Sequence, residues 1–306
     1  MKPPPFEYVA PRTLDEAVHE LTESDGEAKV LAGGQSLVPL LNFRLARPAR
    51  LVDLNRIPDL AYVTRRDGGF AIGAMTRDAT VERDRRMRVE VPLLDEAIRW
   101  VGHPAIRSRG TVGGNLAHAD PAAELPAVAV CLDAQLTIAG PRGTRTVAAD
   151  DFFLGYLTTA LAPDEVLVES WYPAIPARTG HAWLEFARRH GDFALAGVAV
   201  SLTVVDEQIE HARIVLTGVG GTPFRAREAE TLLLGGPVHE RSQAAADAVR
   251  SAIDPDADIH ATKEYRVHLA GVLTERAVLI AYERAVAADP AALDVRRALE
   301  RSSRHA

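Results

Sequence analysis

RSRGTVGGNLAHADPAAELP, running from Arg107 to Pro126, is the stretch whose reading decides how this chain folds. It holds Gly110, Gly113 and Gly114, the cationic or imidazole side chains of Arg107, Arg109 and His118, and Asn115. An acidic, proline-marked segment then leads into an apolar helix. Adjacent glycines let backbone amides approach and converge on an anion with no Cβ in the way, so the stretch predicts a phosphate seat. A second stretch of the same kind, LAGGQSL at Leu31 to Leu37, ends an apolar run far upstream. Neither shows the G-x-G-x-x-G spacing of the common dinucleotide fingerprint, because Gly33-Gly34 and Gly113-Gly114 are adjacent pairs. Two such turns facing one ligand imply a diphosphate, and hence a dinucleotide. Ser36 and Thr111 offer hydroxyl donors, Gln35 and Asn115 offer donor and acceptor together, and Glu124 is placed to accept from ribose hydroxyls.

Composition narrows the function classes. The 306 residues are 47% hydrophobic and 25% charged, ordinary for a globular chain with room for two or three sub-domains. A net charge of −7 with no Lys/Arg-rich run excludes a nucleic-acid binder; the densest basic stretch, Arg83 to Arg88, reads as a solvated face. Cys131 is the single cysteine, so the chain by itself holds neither a disulfide nor an iron–sulfur cluster. No His/Asp/Glu set has metal-ligand spacing, and no metal is expected. The N-terminus lacks an apolar signal region and no window approaches the ~18 apolar residues of a membrane span, which points to the cytoplasm.

Outward from the glycine stretches, the periodicities predict α+β (α/β) organisation in three parts. Residues 1–57 read as a β-α-β-α-β unit with parallel strands: an extended Pro3-Pro4-Pro5 lead-in, a helix started by the Thr13/Glu16 capping box, and strands at Ala28–Ala32 and Leu51–Leu54. Residues 58–177 read as a second unit with antiparallel neighbours, beginning at the Asp67-Gly68-Gly69 hairpin. Pro173, Pro176 and Gly180 mark a linker, and residues 178–306 read as a three-stranded antiparallel sheet followed by helices, the last over Thr262–Ala287. His103 and His118 read as structural, Cys131 as a core thiol, and Trp100, Trp171 and Trp183 as core or interface anchors.

AGGQSL, TVGGNLAHADPAAELP and ARRHGDFALAGVA at Ala187–Ala199 together resemble the FAD-binding medium subunit of the molybdenum hydroxylases, the family of carbon monoxide, xanthine and nicotinate dehydrogenases. The resemblance covers essentially the whole chain. It implies a PCMH-type (vanillyl-alcohol-oxidase type) FAD domain of two sub-domains plus a C-terminal sheet-and-helices domain. It further implies that the stretch from Ala32 through Gly33, Gly34, Gln35 and Ser36 to Leu37 holds the pyrophosphate with Thr111, Val112, Gly113, Gly114 and Asn115. Glu124 and a backbone group near Leu167 would lie along the cofactor, and Arg188 to Ala194 would reach toward the isoalloxazine. Two positions depart from the family pattern, Gln35 where the carbon monoxide dehydrogenase version carries His and Phe193 where some relatives have Tyr, and both weaken a reading of CO as the substrate. The implied partners are a molybdopterin-binding large subunit and a small subunit with two [2Fe-2S] clusters, assembled as a dimer of heterotrimers. Electrons would pass through FAD to NAD⁺, quinone or oxygen, with no catalytic acid or base on this polypeptide. A free-standing flavin oxidoreductase of the same fold and a cofactor-free scaffold are the alternatives. A valine at Gly113 is expected to stand against the pyrophosphate and cost the flavin.

Overall fold

A computed structural model describes residues 1–288; the remainder of the expected C-terminal domain, 289–306, lies outside the described residues. The chain divides into two compact units, Met1–Ala174 and the part from Ile175 onward.

The first unit begins with a three-stranded parallel sheet in which Arg50–Asp53 lies between Glu7–Val9 and Ala28–Leu31. Thr13 caps the Leu14–Thr22 helix by accepting from the Glu16 amide at 3.2 Å, while the Glu16 carboxylate accepts from the Arg12 amide at 2.7 Å. That helix buries Ala17 and Leu21 against Val52, Leu54 and Ile57, and the same cluster takes in Met75 and Val166. The parallel sheet therefore shares its core with the second sheet of this unit. That second sheet is antiparallel throughout, in the order Val63–Arg66, Gly69–Gly73, Val166–Pro173, Gln135–Gly140, Gly143–Ala148. Its first hairpin turns on Asp67 and Gly68, both at positive φ, the two-residue turn whose twist matches the flanking strands. The Glu124–Cys131 helix of this unit is buried at every residue, Cys131 included. A helix apolar nearly all round belongs inside a core.

The second unit is an antiparallel sheet ordered Thr179–Phe186, Ala196–Val205, Gln208–Thr217, Phe224–Arg225. The expected three strands thus gain a fourth of two residues, paired through Val215 and Leu216, too short to leave an alternation in the sequence. Helices Arg227–Leu232, Val238–Ala252 and Lys263–Ala287 follow. Val198, Val200, Leu202, Ile214 and Leu216 form one core with Leu269, Leu273, Ala277 and Ala281 of the long helix. Gly180, read from sequence as part of a linker, instead sits buried in the first strand, where a Cβ would overlap the Ala281 carbonyl and stand 2.5 Å from the Ala285 amide nitrogen. A row of alanines on the helix and one glycine on the strand bring the two backbones together. Among the described residues no helix is long and apolar enough to cross a membrane.

Gly180→Ala is expected to force strand and helix apart and destabilise the chain by about 1–3 kcal/mol, the usual range for overpacking a filled core. A denaturation midpoint equal to wild type would show that this contact opens freely.

Candidate functional site

The two glycine stretches meet. A Cβ on Gly33 would overlap the Arg109 carbonyl and lie 2.8 Å from the Gly110 Cα; one on Gly114 would lie 2.6 Å from Thr111 Oγ1 and 3.3 Å from the Ala32 Cβ. Only glycine at 33 lets the first turn lie directly on the backbone that leads into the second.

The two turns contribute differently. Gly34, at φ +74, swings the chain into the short Leu37–Asn42 helix, a left-handed conformation at which a Cβ would be strained. Val38 and Leu40 bond back to the Gly34 and Ser36 carbonyls. The amides of Gly34, Gln35, Ser36 and Leu37 make no hydrogen bond among the described residues, the usual condition of a helix's first turn. Gln35 folds its Nε2 onto the Gly33 carbonyl at 3.2 Å, and Ser36 stands at the N-cap with its hydroxyl making no capping bond. Leu37 opens the helix, half-buried.

At the second turn the amides are already engaged. Val112 donates to the Thr76 carbonyl at 3.0 Å, Gly113 to Ala74 at 2.9 Å, and Asn115 to Thr111 at 2.9 Å; Gly114 donates to Thr111 Oγ1 at 3.1 Å. Thr111 accepts that bond and keeps its own hydroxyl proton, and its main-chain amide makes no bond among the described residues. Val112 is buried outright. Gly113 faces Ala74, whose Cα a Cβ would approach to 2.6 Å, so the valine expected to stand against a diphosphate would drive into the neighbouring backbone instead. Ala74 in turn donates to the Val168 carbonyl at 2.9 Å, where the central strand bulges between Leu167 and Glu169. Leu167 is thereby tied to the same neighbourhood through the backbone. Asn115 Oδ1 is a buried acceptor with no partner.

Three charged residues behave otherwise than their sequence context suggests. Arg107 is buried within the fold, gripping Glu82 with two bonds of 2.9 Å and donating to the Val101 and Gly102 carbonyls. Its guanidinium is spent on these protein partners. Glu124 is 6% exposed; burial raises its carboxyl to about 8, with Asp78 and Asp120 adding to the rise and its own backbone amide and Arg107 opposing it. Asp78, at the start of the Asp78–Arg83 helix, is raised to about 7, again chiefly by burial, with Glu82 adding while Arg107 and Arg77 oppose; its Oδ1 has no partner. Burial thus favours the protonated form of Glu124, in which the carboxyl can donate as well as accept. His118 closes the glycine helix, its basicity lowered by half-burial against the pull of Asp120. Among the described residues no group of three or more His, Cys, Asp or Glu could hold a metal ion.

Sequence reasoning missed Asn55, Arg77 and Asp78. Asn55 Nδ2 donates to the Ala32 carbonyl at 2.8 Å, and Arg77 donates to the Arg109 carbonyl and to Asn55 Oδ1. None belongs to a recognisable motif, and each acts across more than twenty residues of chain.

Taken together the site offers unbonded amides at 34–37 and 111, two free hydroxyl protons and a turn that tolerates no side chain: an anion seat of the right chemistry for a diphosphate.

Residues 4–174 match the family model described as the FAD binding domain in molybdopterin dehydrogenase, and residues 181–281 match the CO dehydrogenase flavoprotein C-terminal domain. The chain is 42% identical to the 6-hydroxypseudooxynicotine dehydrogenase complex subunit alpha of Paenarthrobacter nicotinovorans, over 93% of this chain and 97% of that one. It is 41% identical to the caffeine dehydrogenase subunit beta of Pseudomonas sp. strain CBB1, over 94% and 99%. The fold superimposes with a TM-score of 0.91 on a chain of the carbon monoxide dehydrogenase of Hydrogenophaga pseudoflava, at 41% identity and covering 93% and 99%.

The raised carboxyls set a pH dependence. Asp78 and Glu124 ionise from about 4 upward in the unfolded chain but hold their protons to about 7 and 8 when folded, so the folded state binds more protons across that window. Stability should therefore be greatest below pH 4–5 as far as these two groups are concerned, and fall by up to ~1.4 kcal/mol per pH unit for each as pH rises to 7–8. Asp78→Asn should flatten the thermal-midpoint profile between pH 5 and 8; a profile parallel to wild type would contradict the assignment.

Proposed function

The chain belongs to the FAD-binding medium-subunit family of the molybdenum hydroxylases, and from that premise we propose that its work is electron transfer. Its cofactor is FAD, and it is a subunit of an FAD-dependent oxidoreductase. When bound, FAD supplies a carrier able to take electrons from iron–sulfur clusters on a small partner subunit and release them to an external acceptor such as NAD⁺, quinone or oxygen. The substrate is oxidised elsewhere, on a molybdopterin-binding large subunit, in an assembly we take to be a dimer of heterotrimers in the cytoplasm. Relatives named as complex subunits or medium chains support its place in a multi-subunit dehydrogenase complex.

The observation that carries the reading is the contact of Gly33 with Arg109 and Gly110, which brings two glycine turns to one place. On this chain the residues' part is binding and orientation. The amides of Gly34 to Leu37 and the hydroxyls of Ser36 and Thr111 would bond the diphosphate oxygens, with Ala32 and Gly33 shaping the turn beneath it. Gly114 and Asn115 complete the far side, Val112 and Gly113 hold that side in place through Thr76 and Ala74, and Glu124 and the Leu167 backbone would lie along the rest of the cofactor. A hydrogen bond to a charged oxygen is worth ~1.5–3 kcal/mol.

Ser36 is the cleanest probe, because its hydroxyl makes no capping bond. Ser36→Ala should weaken FAD binding by about tenfold or more, as that bond energy implies, while the unfolding midpoint of the flavin-free chain stays put. Unchanged FAD affinity would count against the seat. Purified protein without flavin absorbance, unable to take FAD up, would contradict the function; oxidation of a small substrate by the isolated chain would favour the free-standing oxidoreductase.

A further inference from the structure

We propose that Arg77 and Asn55 form a clasp that fixes the two glycine turns to one another and so positions them for the cofactor's diphosphate; the cofactor half of this rests on the FAD reading above. The clasp has one prong on each turn. Asn55 Nδ2 holds the Ala32 carbonyl at 2.8 Å, Asn55 Oδ1 accepts from Arg77 Nη2 at 2.5 Å, and Arg77 Nη1 donates to the Arg109 carbonyl, the same oxygen on which Gly33 rests. Both members are themselves anchored. Asp53 Oδ1 accepts from the Asn55 amide at 2.9 Å and from its Nδ2, while Asp53 Oδ2 accepts from the Tyr8 hydroxyl at 2.5 Å. Arg77 is held in its backbone by an antiparallel bridge to Thr111, closed by Asp78 N to the Gly110 carbonyl and Val112 N to the Thr76 carbonyl. A continuous chain of bonds thus runs from the first strand of the parallel sheet to the threshold of the second glycine turn.

Charge gives the second argument. Among the described residues neither Arg77 nor Arg109 forms an ion pair with a carboxylate. Asp53 and Asp78 act on Arg77 only from a distance, while burial and the neighbouring Arg109 both disfavour its cation. With no carboxylate to claim it, the Arg77 guanidinium is committed to its two neutral acceptors, the Arg109 carbonyl and Asn55 Oδ1. Arg77 is on this reading a positioning residue: its two visible bonds go to protein carbonyls and it acts by holding the turns.

The test uses the full-length chain, stripped of flavin and reconstituted with FAD. Arg77→Gln and Asn55→Ala should each weaken FAD binding about tenfold, and the double variant should be little weaker than either single, because both cut the same link. Arg77→Lys keeps the charge without the planar two-pronged fork and should bind FAD as weakly as Arg77→Gln. In the flavin-free chain, the amides of Val38, Asp78 and Val112 should exchange hydrogen faster in either single variant, while the Val204 amide, bonded to Arg178 in the other unit, should not change. Wild-type affinity in Arg77→Lys would mean that charge alone suffices, and losses that multiply in the double variant would mean two independent contacts; either overturns the clasp. If the wild-type chain takes up no FAD, the flavin reading falls, and exchange at these amides decides the clasp alone: unchanged rates overturn it, faster rates retain it.

Discussion

The first unit is organised by one steric constraint: backbone against backbone at Gly33, with no room for even a methyl group between it and the Arg109–Gly110 peptide. Everything that qualifies the site follows from that approach. It places the unbonded first-turn amides of one short helix beside Thr111, and it puts Ala32 within reach of Gly114. The contact is long-range and makes no large apolar surface of its own. It depends on the elements beneath it, the parallel sheet that presents Ala32 and the antiparallel sheet whose Gly73-Ala74 end supports the second turn.

The buried ionisable groups around the second turn form a scaffold. Arg107 is saturated by Glu82 and backbone carbonyls, and the Asp78 and Glu124 carboxyls are driven toward their neutral forms by loss of water. A buried carboxylate left charged and unpaired costs more than a protonated one, so these groups respond by shifting their titration.

Much of this was legible in the sequence because it is local. Paired glycines, the Thr13/Glu16 cap, the Asp67-Gly68 turn and the apolar run into Cys131 each encode their structure within a few residues. The family resemblance carried the cofactor. What was not legible is pairwise and distant: Arg77 with Asn55, Gly113 against Ala74, Gly180 beneath Ala281. Gly180 follows two prolines and so reads as linker, yet its missing side chain serves a strand–helix crossing. Arg107 stands two residues from Arg109 in the same basic run, and only the fold turns one inward to Glu82 and leaves the other exposed. Glycine patterns announce that a backbone must come close to something; they do not say whether the neighbour is a ligand or another strand.

The unequal hydrogen bonding of the two turns divides the seat into two halves. In one half the amides from Val112 to Asn115 are satisfied inside the polypeptide, leaving the Thr111 amide and Asn115 Oδ1 open, while in the other half the N–H groups of the half-buried Gly34 to Leu37 are unbonded. The backbone that shapes the second turn is thus held by protein bonds alone, and the groups left open on both turns are the ones with hydrogen-bonding capacity left for an incoming nucleotide.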